Sequence, residues 1–124
     1  MDTNAILYYL SDKEIAFVKV EFVMSFITEI ELLSYPGLKN EEEKIIRALL
    51  KTVDIVDVNS KIKEYTINFR KTYKLKIPDA MICATAYFFG IPLVTNDRQI
   101  FKVKECVITT YEIFRNTYAV LKRE

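Results

Sequence analysis

The chain has 124 residues, the size of one domain, and at 51% hydrophobic with only two Gly and three Pro it can bury a core and is not low-complexity. It contains no histidine, which excludes Ser-His-Asp and Cys-His nucleophilic sites and histidine-ligated zinc; two glycines cannot build a phosphate-cradling loop, and two cysteines without C-x-x-C spacing indicate neither a zinc ribbon nor a disulfide scaffold. The net charge of +1 divides unevenly, with 7 basic and 11 acidic residues over 1–62 against 11 basic and 6 acidic over 63–124.

In chain order, residues 4–10 predict a short helix or a turn. Lys19–Met24 alternates polar with β-branched and aromatic residues and predicts a strand. Ser25 is a suitable N-cap for a helix over 26–35, which Pro36-Gly37 ends. Asn40 is the expected cap of a helix over 41–51, whose first turn holds Glu41, Glu42 and Glu43 where the helix dipole favours them. Residues 54–58 predict a buried strand and 60–73 a helix. Around that helix Lys61, Lys63, Arg70, Lys71, Lys74 and Lys76 face only Glu64, which suits either a solvated face or a polyanion-binding surface.

The second half repeats the alternation. Pro78 opens a helix over 79–89, closed by Gly90; 92–95 predicts a strand, 97–101 a turn, 106–109 a strand and 111–121 a last helix. Strands separated by helices imply an α/β domain with a mostly parallel sheet, and no composition break divides residues 1–124. Cys83 and Cys106 read as core residues. The longest uncharged stretch, Ala80 to Asn96, is too short and too broken by Gly90 and Pro92 to span a bilayer. No signal peptide is expected, and with two unpaired cysteines the location expected is the cytoplasm.

With histidine gone, carboxylates and a hard metal are the remaining tools for chemistry. Ligands of open α/β sheets bind at the carboxyl ends of strands. Asp2, Glu31, Asp79 and Asp97 lie on four separate segments that could converge there, and such a cluster is unfavourable without a cation. Each also has an ordinary reading: Asp2 as a helix cap, Asp79 as a first-turn acid, Asp97 as a turn residue. Glu29 and Glu31 are about 200° apart on their helix, so only one of them can face such a site.

Taken together, Asp2-Thr3-Asn4, Ser25-x-x-Thr28-x-x-Glu31-Leu32, Ile77-Pro78-Asp79-Ala80-x-Ile82 and Pro92-Leu93-Val94-Thr95-Asn96-Asp97 resemble the PIN-domain family, and within it the VapC-type toxin ribonucleases. The resemblance implies a three-layer α/β/α sandwich and a Mg²⁺- or Mn²⁺-dependent endoribonuclease, the toxin of a type II toxin–antitoxin pair. It implies Asp2, Glu31, Asp79 and Asp97 as the catalytic, metal-binding acids, with Asn4 and Thr95 as accessory polar residues. Lys71, Lys74, Lys76 and Arg98 become the expected RNA contacts, and a cognate antitoxin and a second copy of the chain the expected protein partners. A non-catalytic RNA- or protein-binding scaffold is the alternative. The family places an apolar strand directly before its first Asp, whereas Met1 alone precedes Asp2 here. The expectation is therefore a sheet with a gap at this position and a natural start upstream of Met1.

Overall fold

Local capping signals start most of the helices. In a computed structural model that describes residues 1–12 and 23–123, with side chains to residue 117, helix α1 (Thr3–Ser11) is capped by Asp2, whose Oδ1 accepts the Ala5 N–H at 2.9 Å. Ser25 ends strand β1 (Val23–Ser25) and caps α2 (Phe26–Ser34), its hydroxyl accepting the Ile27 N–H at 3.4 Å. Of the strand predicted over 19–24, residues 19–22 lie outside the described ones. Asn40 is not the cap of α3 (Asn40–Leu50) but its first residue. The Glu43 N–H already bonds the Lys39 carbonyl at 2.9 Å, so Lys39 holds the cap position and provides no side-chain acceptor.

Strand β2 (Asp54–Val56) is followed by α4 (Ser60–Tyr73), capped by Asn59 through a 2.8 Å bond from the Ile62 N–H. Pro78 sits in the first turn of α5 (Ile77–Phe89), where its missing N–H costs nothing. Gly90 ends that helix at φ 63°, and the Ile91 N–H returns to the Ala86 carbonyl at 3.1 Å. Strand β3 (Leu93–Val94), a 3₁₀ turn (Ile100–Lys102), β4 (Ile108–Thr109) and α6 (Tyr111–Arg123) complete the order. The last strand starts at Ile108 rather than Cys106, because the Cys106 N–H turns back to the Val103 carbonyl at 3.3 Å. Asp12 anchors α6 to the end of α1, accepting from Arg115 Nε at 2.7 Å and from the Tyr111 hydroxyl at 3.0 Å.

The four strands form two parallel pairs. In one, Val23, Met24 and Ser25 lie opposite Asp54, Ile55 and Val56; in the other, Leu93 and Val94 lie opposite Ile108 and Thr109. Met1 and Asp2 run beside β3, with the Asp2 N–H bonded to the Val94 carbonyl at 3.1 Å. Among the described residues the pairs remain separate, and a cleft lined by Met1, Val23, Thr28, Ile82 and Leu93 lies between them. Thr28 Oγ1, at this cleft, is buried without a hydrogen-bond partner among the described residues. This is the helix-rich α/β architecture with parallel strands that the alternating pattern predicts.

Two apolar clusters carry most of the core. Ile62, Phe69, Ile82, Cys83, Leu93 and Val103 join α4 and α5 to the second strand pair. Ile6, Met24, Leu32 and Ile46 join α1, β1, α2 and α3. Each such side chain stabilises the fold by about 1.5–3 kcal/mol relative to its exposed state.

One residue is held against its backbone preference. Lys74 follows α4 at φ 55° and is the only non-glycine residue in the left-handed region among the described ones. A Cβ in that conformation costs about 1–2 kcal/mol. Lys74→Gly is therefore expected to raise the melting temperature by a few degrees in thermal circular dichroism, while Lys74→Ala leaves it nearly unchanged.

Candidate active site

The four acids come from four different segments, and each is fixed by a different local device. Asp2 is 7% exposed. Its backbone N–H is held by Val94, its Oδ1 caps α1, and its Oδ2 accepts from the Thr95 hydroxyl. Thr95 leaves β3 fully buried, with its own N–H on the Thr109 carbonyl at 3.0 Å. The same Thr95 hydroxyl accepts the Asp97 N–H at 3.0 Å. One buried hydroxyl thus donates to the first acid and positions the backbone of the fourth.

Asp97 follows β3 by three residues and is half-buried; its Oδ1 accepts the Gln99 N–H at 2.9 Å and shapes the turn toward Ile100. Asn96 points elsewhere, its Oδ1 capping α6 through the Tyr111 N–H at 3.0 Å. Glu31 is reached from α1: the Thr3 hydroxyl donates to its Oε1 at 2.7 Å. Asp79 lies in the first turn of α5, half-buried, directly after Pro78.

Electrostatics connects these positions. The Asp79 carboxyl is raised above its usual range, first by burial and then by the negative charges of Asp97, Glu31 and Asp2, with Lys76 opposing them. Glu31, and not Glu29, is among the charges felt at Asp79. Among the described residues, however, no three acidic or thiol side chains are grouped closely enough to enclose a metal ion. The two observations differ in range. Fields between charges extend about 8–10 Å in ordinary salt, whereas ligating oxygens sit ~2.0–2.1 Å from Mg²⁺. The acids therefore share a field without sharing a ligation point, which is the arrangement that mutual repulsion favours when nothing neutralises it. As a donor set they suit a hard divalent cation, being all oxygen and carrying negative charge that Lys76 alone is seen to oppose at Asp79.

Of the accessory residues, Thr95 lies within this network. Asn4 is exposed on α1. Its neighbour Thr3 is the residue that touches Glu31, and the sequence carried no local sign of it, since the partner lies 28 positions away. The basic candidates Lys71, Lys74, Lys76 and Arg98 are all exposed. Lys76 and Arg98 are the two nearest to acids in the chain, Lys76 three residues before Asp79 and Arg98 directly after Asp97.

Comparison with known proteins follows the same lines. The family model described as the PIN domain matches residues 1–105. A toxin–antitoxin complex from Klebsiella pneumoniae contains a chain of similar structure at 28% identity and a TM-score of 0.72, the match covering 89% of this chain and 94% of that one. VapBC-1 from nontypeable Haemophilus influenzae is similar at 24% identity and a TM-score of 0.72, over 90% of this chain and 96% of that one. VapBC2 from Rickettsia felis, bound to a DNA fragment from their promoter, is similar at 18% identity and a TM-score of 0.72, over 87% and 94%. The last two likenesses speak for the fold alone. Comparison with curated protein sequences gives no match.

Proposed function

The chain belongs to the PIN domain family, and we propose that it is an endoribonuclease dependent on Mg²⁺ or Mn²⁺, the toxin of a toxin–antitoxin pair. The observation that carries this reading is the convergence at Asp79: charges from three other segments, Asp2, Glu31 and Asp97, bear on one half-buried carboxyl in the first turn of α5. A fold that only needed caps and turns would have no reason to bring four acids into one field at a cost to its own stability.

Asp2, Glu31, Asp79 and Asp97 would hold the cation, which when bound supplies charge neutralisation at the scissile phosphate and activation of a water. The chain's own residues do the rest. Thr95 fixes Asp2 through its hydroxyl and Asp97 through the backbone, so these two acids keep a set spacing. Thr3 holds the Glu31 carboxylate by one oxygen, leaving the other free of that bond. Lys71, Lys74, Lys76 and Arg98, all exposed, would receive the RNA backbone, where lysine and arginine displace counterions from phosphates.

The test is cleavage of a structured RNA by purified protein with Mn²⁺ or Mg²⁺ and with EDTA. Cleavage in the metal arms that stops in EDTA supports the reading; intact RNA in every arm points instead to a binding scaffold with the same fold. Two protein partners belong to the proposal. The K. pneumoniae relative comes from a toxin–antitoxin complex, which supports a cognate antitoxin here. A homodimer is supported by the apolar side chains the fold leaves outside, among them Tyr87, Phe88 and Phe89 at the end of α5 and Ile67 on α4. Light scattering at tens of micromolar is expected to give twice the 14.6 kDa chain mass; the single mass would refute the dimer.

A further inference from the structure

The two cysteines stand 23 positions apart in sequence, yet they meet in the fold. Cys83 lies on α5, one turn after Asp79, and is fully buried. Cys106 lies in the turn before β4 and is half-buried, its Sγ 3.4 Å from the Cys83 carbonyl. The Cys106 thiol donates to that carbonyl, so its sulfur lies against the backbone of Cys83. Both are free, and they are the only cysteines of the chain.

The turn that carries Cys106 is held from the other side. Tyr73, at the end of α4, donates its hydroxyl to Glu105 and accepts the Lys104 N–H at 3.3 Å. Since α4 packs against α5 through Phe69 and Ile62, the backbone on both sides of the pair is fixed, with the Cys106 sulfur already against the Cys83 backbone. A disulfide demands that two cysteines approach closely with little backbone movement, and the contact of the Cys106 sulfur with Cys83 points to such an approach.

We propose that Cys83 and Cys106 are an oxidation site, closing to a reversible intramolecular disulfide when the protein meets a peroxide. Cys106 is the entry point because it alone of the two is reached from solvent. Its sulfur attacks the peroxide, the O–O bond breaks, one water leaves and Cys106 becomes a sulfenic acid. The Cys83 sulfur then attacks the Cys106 sulfur. The S–S bond forms, the S–O bond breaks, and the oxygen leaves as a second water with the Cys83 thiol proton. Two thiols together lose two electrons and two protons, and one hydrogen peroxide becomes two waters. A thiol reductant reverses the step.

The bond would tie the helix bearing Asp79 to the segment leading into β4, whose partner β3 leads to Thr95 and Asp97. It closes a loop of roughly 20 residues and so restricts the unfolded chain. The inference does not depend on the nuclease reading.

The experiment uses the whole chain and equimolar hydrogen peroxide. Denatured intact mass, without reductant, is expected to fall by two hydrogens with loss of both titratable thiols. Peptide mapping should join Cys83 to Cys106, and the melting temperature should rise by roughly 5–10 °C and return with dithiothreitol. Cys83→Ser should instead accumulate a dimedone-trappable sulfenic acid on Cys106, and Cys106→Ser should leave Cys83 unreacted. Two thiols surviving peroxide, a disulfide-linked dimer, or dimedone capture in wild type as efficient as in Cys83→Ser would each overturn the proposal.

Discussion

Asp79→Asn is expected to abolish metal-dependent RNA cleavage and, in EDTA, to make the protein more stable rather than less. Burial and the charges of Asp97, Glu31 and Asp2 all disfavour the ionised Asp79, and only Lys76 favours it. Because its folded pKa lies above the unfolded value of 3.8, ionised Asp79 opposes folding at neutral pH. That opposition is absent below 3.8, grows as pH rises through the window between the unfolded and folded values, and is full above it. In wild type without metal, the Asp79 contribution therefore makes stability fall as pH rises through that window. The amide removes the charge and with it this component of the pH profile. Thermal melts in EDTA at a series of pH values give the comparison, and the asparagine variant should melt a few degrees higher at pH 7.

A divalent cation should reverse the ranking. A ligand that binds only the folded state stabilises it by mass action, so Mn²⁺ should raise the wild-type melting temperature and leave Asp79→Asn nearly unmoved. An Asp79 that served only as a first-turn acid makes the contrary forecast. Its replacement would weaken a favourable interaction with the helix dipole and lower the melting temperature by a small amount, with or without Mn²⁺.

How much of this was legible in the sequence depended on the range of the interaction. Helix α4 was predicted over 60–73 and occupies Ser60–Tyr73, because its apolar spacing is a property of that segment alone. The end of α5 followed from Gly90, which adopts the left-handed conformation that stops a helix at little cost. The start of α3 was misplaced because Asn40 has the right chemistry for a cap, while the backbone ladder had already begun at Lys39. Strands of two or three residues carry little periodicity, which is why 54–58 and 106–109 were predicted longer than β2 and β4.

The same division runs through the site. Asp2, Glu31, Asp79 and Asp97 were chosen by type, order and neighbours, all of which the chain displays. Thr3 was missed because its meaning lies in Glu31, 28 positions away, and a threonine beside an asparagine gives no sign of which one turns inward. The double use of the Thr95 hydroxyl was equally invisible, since it joins Asp2, 93 positions away, to the start of the next turn. Cys83 and Cys106 read separately as small core residues, and nothing local says that they touch.

Asp97 provides the sharper separation of catalysis from architecture, because its two tasks use different properties of one side chain. As a turn residue it needs an oxygen to accept the Gln99 N–H, and the backbone N–H that reaches Thr95 belongs to any residue at that position. As a metal ligand it needs a negative charge. Asparagine keeps the oxygen and loses the charge, so Asp97→Asn should abolish cleavage in Mn²⁺ while melting in EDTA at or slightly above the wild-type temperature, one source of repulsion on Asp79 having gone. Alanine loses both, so Asp97→Ala should be equally inactive but less stable by about 1 kcal/mol for the lost capping bond. The pair must therefore agree in activity and disagree in stability. If Asp97→Asn cleaves RNA at the wild-type rate, the residue is a turn former only and the acidic site loses its fourth member. If both variants melt together and well below wild type, the carboxylate charge itself supports the turn, and the repulsion assigned to it at Asp79 is wrong.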